Sequence, residues 1–135
     1  MATEREVLIS FLKLTKGGPV EIKDLSSESQ IPRQLVHETL TSLRLGIVEA
    51  DGHSISGGPE QRLRAAHKAV ELGADIERVC RFLTWSEFED ISVMAFEAND
   101  FKVKKHFRFS GSGRRWEIDI LAAKRPIVAC ADCKQ

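Results

Sequence analysis

Arg114-Arg115-Trp116-Glu117-Ile118-Asp119-Ile120-Leu121 and, after a short basic turn, Pro126-Ile127-Val128-Ala129-Cys130-Ala131-Asp132-Cys133-Lys134 decide the fold of the C-terminal part of the chain. Both segments are apolar with interspersed acids, which predicts two neighbouring strands. Side chains alternate along an extended chain, so Glu117 and Asp119 share one face of the first strand, and Asp132 and Lys134 share one face of the second. Carboxylates are costly to bury unless they hold a cation or one another. The pattern therefore indicates a cation site.

The charge of the chain is unevenly distributed, although its total is zero. Residues 1–58 carry six Lys/Arg against eight Asp/Glu, residues 59–98 five against eight, and residues 99–135 nine against four. Only the last third is basic, and it also holds the acids on the two strands. A basic surround with an acidic centre suits a polyanion-binding site around a metal, because Lys and Arg contact phosphates while carboxylates hold the cation. A solvated basic hairpin is the alternative.

Length and composition are those of an ordinary globular protein. The 135 residues are 42% hydrophobic, which suits one ordinary domain or two small ones. No run approaches the roughly 18 apolar residues that span a bilayer, and the N-terminus has no basic segment leading into an apolar one. The three cysteines, Cys80, Cys130 and Cys133, fit a reducing compartment. We therefore expect a cytoplasmic protein without a membrane partner.

The first 58 residues predict short helices followed by a hairpin. Helical spacing over 4–16 and an extended piece at 20–22 precede a polar helix over 23–29 and a helix over 32–45 that would bury Leu35, Leu40 and Leu43. A strand, the turn Asp51-Gly52 and a second strand are predicted over 47–55.

This order of elements resembles a winged helix-turn-helix domain over about residues 3–57. The resemblance implies that the helix over 32–44 is a recognition helix, whose outward residues would read base edges in DNA. Those residues are Arg33, Gln34, His37, Glu38, Thr41 and Arg44. Because the segment is net acidic, a packing or dimerisation surface is the alternative.

A linker at Ser56-Gly57-Gly58-Pro59 begins a predicted helical connector over 59–84. The next helix runs to about Ala98 and carries Glu89 at the edge of an apolar stripe, which consists of Phe88, Ile91, Met94, Ala95 and Ala98. A strand over 101–109 follows, and period-two alternation gives it one basic face, formed by Lys102, Lys104, His106 and Arg108.

The segment from Trp85 onward resembles the PD-(D/E)xK nuclease superfamily, which has the restriction-endonuclease-like fold, and in particular its Mrr-type enzymes and archaeal Holliday-junction resolvases. The matching pieces are Phe88-Glu89 on the helix, Glu117 to Leu121 on the second strand, and Asp132-Cys133-Lys134 as the D-x-K tripeptide.

The resemblance assigns a role to each matching residue. Asp119 and Asp132 would bind a divalent metal, Mg²⁺ or Mn²⁺, and Lys134 would assist the attack of water on a phosphodiester. Glu89 would either help through a water or complete the metal shell. Hydrolysis of a phosphodiester needs such a Lewis acid and an activated water. Further basic residues would grip the DNA backbone, namely Lys102, Lys104, Arg108, Arg114 and Arg115.

The sequence departs from the family in two places. Asp132 stands where many members have Glu, and the family core continues with a helix and a strand beyond the position of Lys134. We therefore expect a fragment of a longer protein, the alternatives being a sheet completed by another chain or a degenerate site. Cys130 and Cys133 also form a C-x-x-C pair, but a zinc site would need two further ligands at a suitable spacing.

We thus predict an α+β chain with a winged helix-turn-helix domain over 1–58, a connector over 59–84 and an incomplete restriction-endonuclease-like core over 85–135. The predicted function is that of a DNA-binding, metal-dependent endonuclease, with DNA as partner and a homodimer as an open alternative. A non-enzymatic winged-helix regulator with a dimerisation or sensing domain is the rival hypothesis, and a nuclease-fold relic that binds DNA without cutting it is the third.

Overall fold

The computed structural model describes residues 2–47 and 51–133. The chain is α+β and forms two compact units, Met1–Thr84 and Trp85–Gln135, which we call the N-terminal and C-terminal units. Among the described residues, no helix is long and apolar enough to cross a membrane.

The N-terminal unit is mainly helical, with one small sheet. Its two strands, β1 and β2, pair antiparallel, with Val20 opposite Ile55. The elements are α1 (Ala2–Thr15), β1 (Val20–Glu21), α2 (Ile22–Ser29), α3 (Arg33–Leu43), β2 (Ser54–Ile55), α4 (Pro59–Glu71) and α5 (Ile76–Cys80).

The core of this unit lies between α1, α2, α3 and α4. Phe11, Leu25 and Val36 are among its fully buried side chains. The prediction that Leu35 is buried is wrong, because Leu35 is 41% exposed and Val36 and Leu40, one turn apart on α3, point inward instead. The first strand of the predicted hairpin falls largely on residues 48–50, outside the described residues.

Arg62 on α4 is a charged residue inside this core, only 4% exposed. Its guanidinium donates hydrogen bonds to the carbonyl oxygen of Leu12 at 2.8 Å, to Thr15 Oγ1 at 2.7 Å and to the carbonyl oxygen of Phe82 at 2.5 Å. Leu12 and Thr15 lie in the last turn of α1, whose carbonyl groups lack helical partners. Arg62 therefore joins the end of α1 to α4 and to the segment after α5, and the predicted connector packs within the N-terminal unit.

The C-terminal unit consists of one helix and an antiparallel sheet in the order β3-β4-β5. Val103 pairs with Ala122 across β3 and β4, and Ala122 pairs with Ala129 across β4 and β5. The elements are α6 (Trp85–Ala98), β3 (Lys102–Gly111), β4 (Arg114–Lys124) and β5 (Ile127–Ala131). The tight turn between β3 and β4 uses Ser112 and Gly113, both at positive φ.

Two expectations for this unit are wrong. The apolar stripe predicted on α6 is not a buried face, because Met94, Ala95 and Ala98 are exposed, while Glu87 is 3% exposed. The last strand ends at Ala131, so Asp132 follows the strand instead of lying on it. The buried residues of the sheet are Ile120 and Ala122 on the central strand, with Cys133 beyond β5.

We predict that Arg62→Ala lowers the free energy of unfolding by about 3 kcal/mol, because it leaves buried carbonyl and hydroxyl groups of α1 without their donor. Urea denaturation of the full chain measures this. Arg64→Ala on the same helix is the matched control, since within the described part of the chain Arg64 makes only an exposed pair with Glu60 and should change stability by less than about 0.5 kcal/mol. Equal effects of the two substitutions would contradict the structural role of Arg62.

Candidate metal and nucleic-acid site

The register of β3 and β4 brings His106 to Asp119. Lys105 pairs with Ile120 and Phe107 with Ile118, so His106 lies opposite Asp119. His106 has a φ of 52°, a left-handed conformation that few residues other than glycine adopt.

Glu89, His106 and Asp119 form the cluster of metal-binding type among the described residues. One ligand atom from each lies within 4.8 Å of the others. Glu89 comes from α6, where its side chain is 12% exposed, and its Oε2 is 3.1 Å from His106 Nε2. The helix and two strands thus direct two carboxylates and an imidazole toward one point.

A second carboxylate contacts the same imidazole from the other side. Glu117 Oε1 lies 2.8 Å from His106 Nδ1, and Glu117 Oε2 accepts from Arg108 Nε at 3.4 Å. The hydrogen bond with Glu117, and then the charge of Glu89, raise the pKa of His106 above its ordinary value. The hydrogen bond with His106 likewise lowers the pKa of Glu117. The geometry therefore favours a protonated imidazole held between two carboxylates.

Asp119 is anchored by the backbone beyond β5. Its Oδ2 accepts a hydrogen bond from the Cys133 N–H at 2.9 Å. Asp132, predicted as the second metal ligand, follows the end of β5 and is not part of the cluster among the described residues. Burial, followed by the charges of Glu89 and Asp119, raises the pKa of the Cys133 thiol, which keeps the sulfur neutral. Cys130 is exposed whereas Cys133 is buried, so the C-x-x-C pair does not form part of the cluster among the described residues.

Lys105 is the lysine of β3 that reaches α6. Its Nζ lies 2.6 Å from Asp90 Oδ1, next along the helix from Glu89. The hydrogen bond with Asp90 raises the pKa of Lys105. Lys134, to which a role in water attack was assigned, lies outside the described residues.

The residues predicted to contact DNA lie in two separate groups. In the C-terminal unit they are exposed on β3 and β4, and they are Lys102, Lys104, Arg108, Arg114 and Arg115. In the N-terminal unit Arg33, Gln34 and Arg44 are exposed and His37 is half-buried, on or just after α3. Arg33, Gln34 and His37 also line a groove with Lys23 and His53.

His106 is the site residue that sequence reasoning did not select. Alternation along β3 places it on the basic face with Lys102, Lys104 and Arg108, and the sequence assigns it no role in the metal site. The sequence does contain a signal that points to His106, namely the number of residues between it and the turn at Ser112-Gly113. That turn fixes the register of β3 and β4 and so places His106 opposite Asp119.

We predict that in the metal-free protein His106 titrates above the ordinary histidine value of about 6.5, and that Glu117→Gln lowers this pKa by removing its main stabilising partner. Because the folded-state pKa is raised, the ion pair stabilises the protein below the unfolded pKa, and this contribution is lost as the pH rises through the folded pKa. An NMR titration of the imidazole measures the pKa of His106 in the two proteins.

The control is Glu97→Gln, which removes an exposed carboxylate of α6 that has no described contact with His106. A His106 pKa at or below the ordinary value, or one that responds equally to both substitutions, would contradict the arrangement.

Comparisons with known proteins give one partial match. Over 52 residues the chain is 40% identical to an uncharacterized protein of Archaeoglobus fulgidus. The match covers 38% of this chain and 40% of that relative, well under two thirds of either. No protein-family model matches the chain, and no solved structure matches it significantly.

Proposed function

We propose that the chain is a DNA-binding, metal-dependent phosphodiester hydrolase of the PD-(D/E)xK type, with a winged helix-turn-helix module before an incomplete restriction-endonuclease-like core. The observation that carries the proposal is the convergence of Glu89 and Asp119, with His106, in the C-terminal unit. Two carboxylates from different elements approach one another there, and the surrounding surface is basic.

The donor set fits a divalent cation. Ligands on opposite sides of Mg²⁺ lie roughly 4.2 Å apart, so three atoms within 4.8 Å of one another need only small side-chain movements to share an ion. Carboxylate oxygens suit both Mg²⁺ and Mn²⁺, and an added imidazole favours Mn²⁺. Glu89 and Asp119 would hold the ion, with His106 as third ligand. The ion would supply Lewis-acid polarisation of a phosphate oxygen.

The chain's own residues position the substrate. Residues 102–124 carry seven Lys/Arg against two Asp/Glu, a net charge of +5. Five of these cations are exposed and have no carboxylate partner among the described residues, namely Lys102, Lys104, Arg114, Arg115 and Lys124. Free guanidinium and ammonium groups on one hairpin are suited to phosphates of a nucleic-acid backbone. The hairpin would therefore hold the DNA against the cluster that carries Glu89 and Asp119.

The N-terminal unit supports a second contact with DNA. Its order of elements is α1-β1-α2-α3-β2, and α3 presents Arg33 and Gln34 to solvent at its first turn. A helix with exposed hydrogen-bonding residues at its N-terminal end is the part of a winged helix-turn-helix domain that enters the major groove. We assign this role to α3.

We predict that Asp119→Asn abolishes Mn²⁺-dependent cleavage of plasmid DNA, lowering the rate by at least about a hundredfold, while binding to DNA is retained. Asn keeps an oxygen that can accept the Cys133 N–H, so the fold should persist, but the negative charge needed by the cation is lost. Agarose gels measure cleavage and fluorescence anisotropy measures binding.

Asp100→Asn is the matched control, because Asp100 is exposed in the turn before β3 and already has a φ of 67° that Asn tolerates. Cleavage by the wild type that survives Asp119→Asn would reject the site. DNA binding without cleavage by any variant, with or without Mn²⁺, would favour the rival hypothesis of a non-enzymatic regulator.

Arg33→Ala combined with Arg44→Ala tests the role of α3, since the double substitution should weaken DNA binding and reduce the salt dependence of that binding.

A further inference from the structure

The turn end of the β3–β4 hairpin exposes two aromatic rings side by side. Phe109 and Trp116 are cross-strand partners and are 43% and 46% exposed. Directly opposite residues of an antiparallel pair project from the same face of the sheet. The two rings border a concave surface, which we call the hairpin pocket, lined by Arg108, Phe109, Ser110, Arg115, Trp116 and Glu117.

The polar atom of the indole is already used within the hairpin. Trp116 Nε1 donates to the carbonyl oxygen of Gly111 at 3.2 Å, across the turn. Phe109 is packed against Phe107, with ring centroids 6.1 Å apart. Both rings are thus held by neighbours within the hairpin, and what they offer to a ligand is apolar ring surface. A rigid, exposed aromatic surface is suited to stacking.

The charges around the pocket select the kind of ligand. Arg108 and Arg115 line it, and the one acid, Glu117, is engaged by His106 and Arg108. Among the described residues, the Arg115 guanidinium pairs with no carboxylate. Aromatic rings beside one unpaired guanidinium group match a single-stranded nucleic acid, whose bases stack while its phosphates are neutralised. An apolar protein segment would gain nothing from these cations.

We propose that the hairpin pocket binds an unpaired nucleobase by stacking on Trp116 and Phe109, with Arg115 contacting the adjacent phosphate. As a statement about substrate, this rests on the proposed function, and it narrows the DNA to molecules with single-stranded or splayed nucleotides, such as ends, flaps and branch points. As a binding site, the pocket stands independently of cleavage.

The pocket adjoins the metal-type cluster through one residue. Glu117 lines the pocket, and its Oε1 is 2.8 Å from His106, whose other nitrogen is 3.1 Å from Glu89. Because consecutive residues of β4 project from opposite faces of the sheet, a base stacked on Trp116 would lie across the strand from Glu117. The nucleic-acid strand that carries this base would pass the edge of the hairpin to reach the carboxylates.

The test uses metal-free full chain carrying Trp85→Phe, in which Trp116 is the sole tryptophan. Oligothymidylate of about 12 nucleotides should quench Trp116 fluorescence in a saturable manner, whereas a blunt duplex of the same length should not. By anisotropy of labelled oligothymidylate, Trp116→Ala should bind about tenfold more weakly, and Trp116→Phe should retain most of the affinity. Trp85→Ala, which removes the other exposed tryptophan, is the control and should bind normally.

Absence of quenching, equal quenching by the duplex, or equal affinity of the Trp116→Ala and Trp85→Ala proteins would overturn the proposal. So would a change in Trp116 fluorescence with protein concentration alone, because a second copy would then cover the pocket. Since no metal is present, quenching in a protein that never cleaves DNA would leave the pocket standing and reject only the hydrolase. Cleavage of DNA without quenching would leave the hydrolase standing and reject the pocket. The quenching experiment also keeps the test valid if Trp116→Ala fails to fold.

Discussion

The C-terminal unit depends on one electrostatic constraint, which is that several carboxylates converge on the imidazole of His106. Glu89 and Glu117 contact the two nitrogens of His106, and Asp119 lies opposite it on the central strand. Carboxylates this close repel one another unless a cation lies between them. In the metal-free protein the protonated imidazole supplies that charge, with Arg108 supporting Glu117. The same geometry suits a divalent ion, which would satisfy the acids more fully than a single proton does.

Strand register is what makes this convergence possible. β4 is the central strand, and the backbone on both sides of Asp119 is fixed by pairing with β3 and β5. A slip of one residue would move Asp119 to the opposite face, away from Glu89. The turn at Ser112-Gly113 sets the register with β3, and the Cys133 N–H orients the carboxylate of Asp119 from the far side. Backbone geometry therefore positions Asp119, whereas the cations around it lie on exposed side chains.

The sequence predicted elements better than it predicted side-chain directions. Hydrophobic periodicity and the Gly and Pro signals placed the described helices and strands close to where they lie, because these signals act locally. The hairpin predicted at Asp51-Gly52 stays a prediction, since its first strand falls largely outside the described residues. Glu89 and Asp119 were selected from their positions on a helix and a strand. His106 was missed because its partners Glu89, Glu117 and Asp119 come from other elements. The exposed side of α6 was missed because which face is covered depends on the rest of the fold. The burial of Arg62 was missed for the same reason, because its hydrogen-bond partners are 20 to 50 residues away in the chain.

The central claim is that Glu89 and Asp119 hold one divalent cation, and the most direct measurement is anomalous diffraction from crystals of the full chain grown with Mn²⁺. The account predicts a single strong anomalous peak between the carboxylates of Glu89 and Asp119 and beside His106, absent from crystals of the Asp119→Asn variant. Well-ordered density for these side chains, with His106 still bonded to both glutamates and no anomalous peak between them at saturating Mn²⁺, would contradict it.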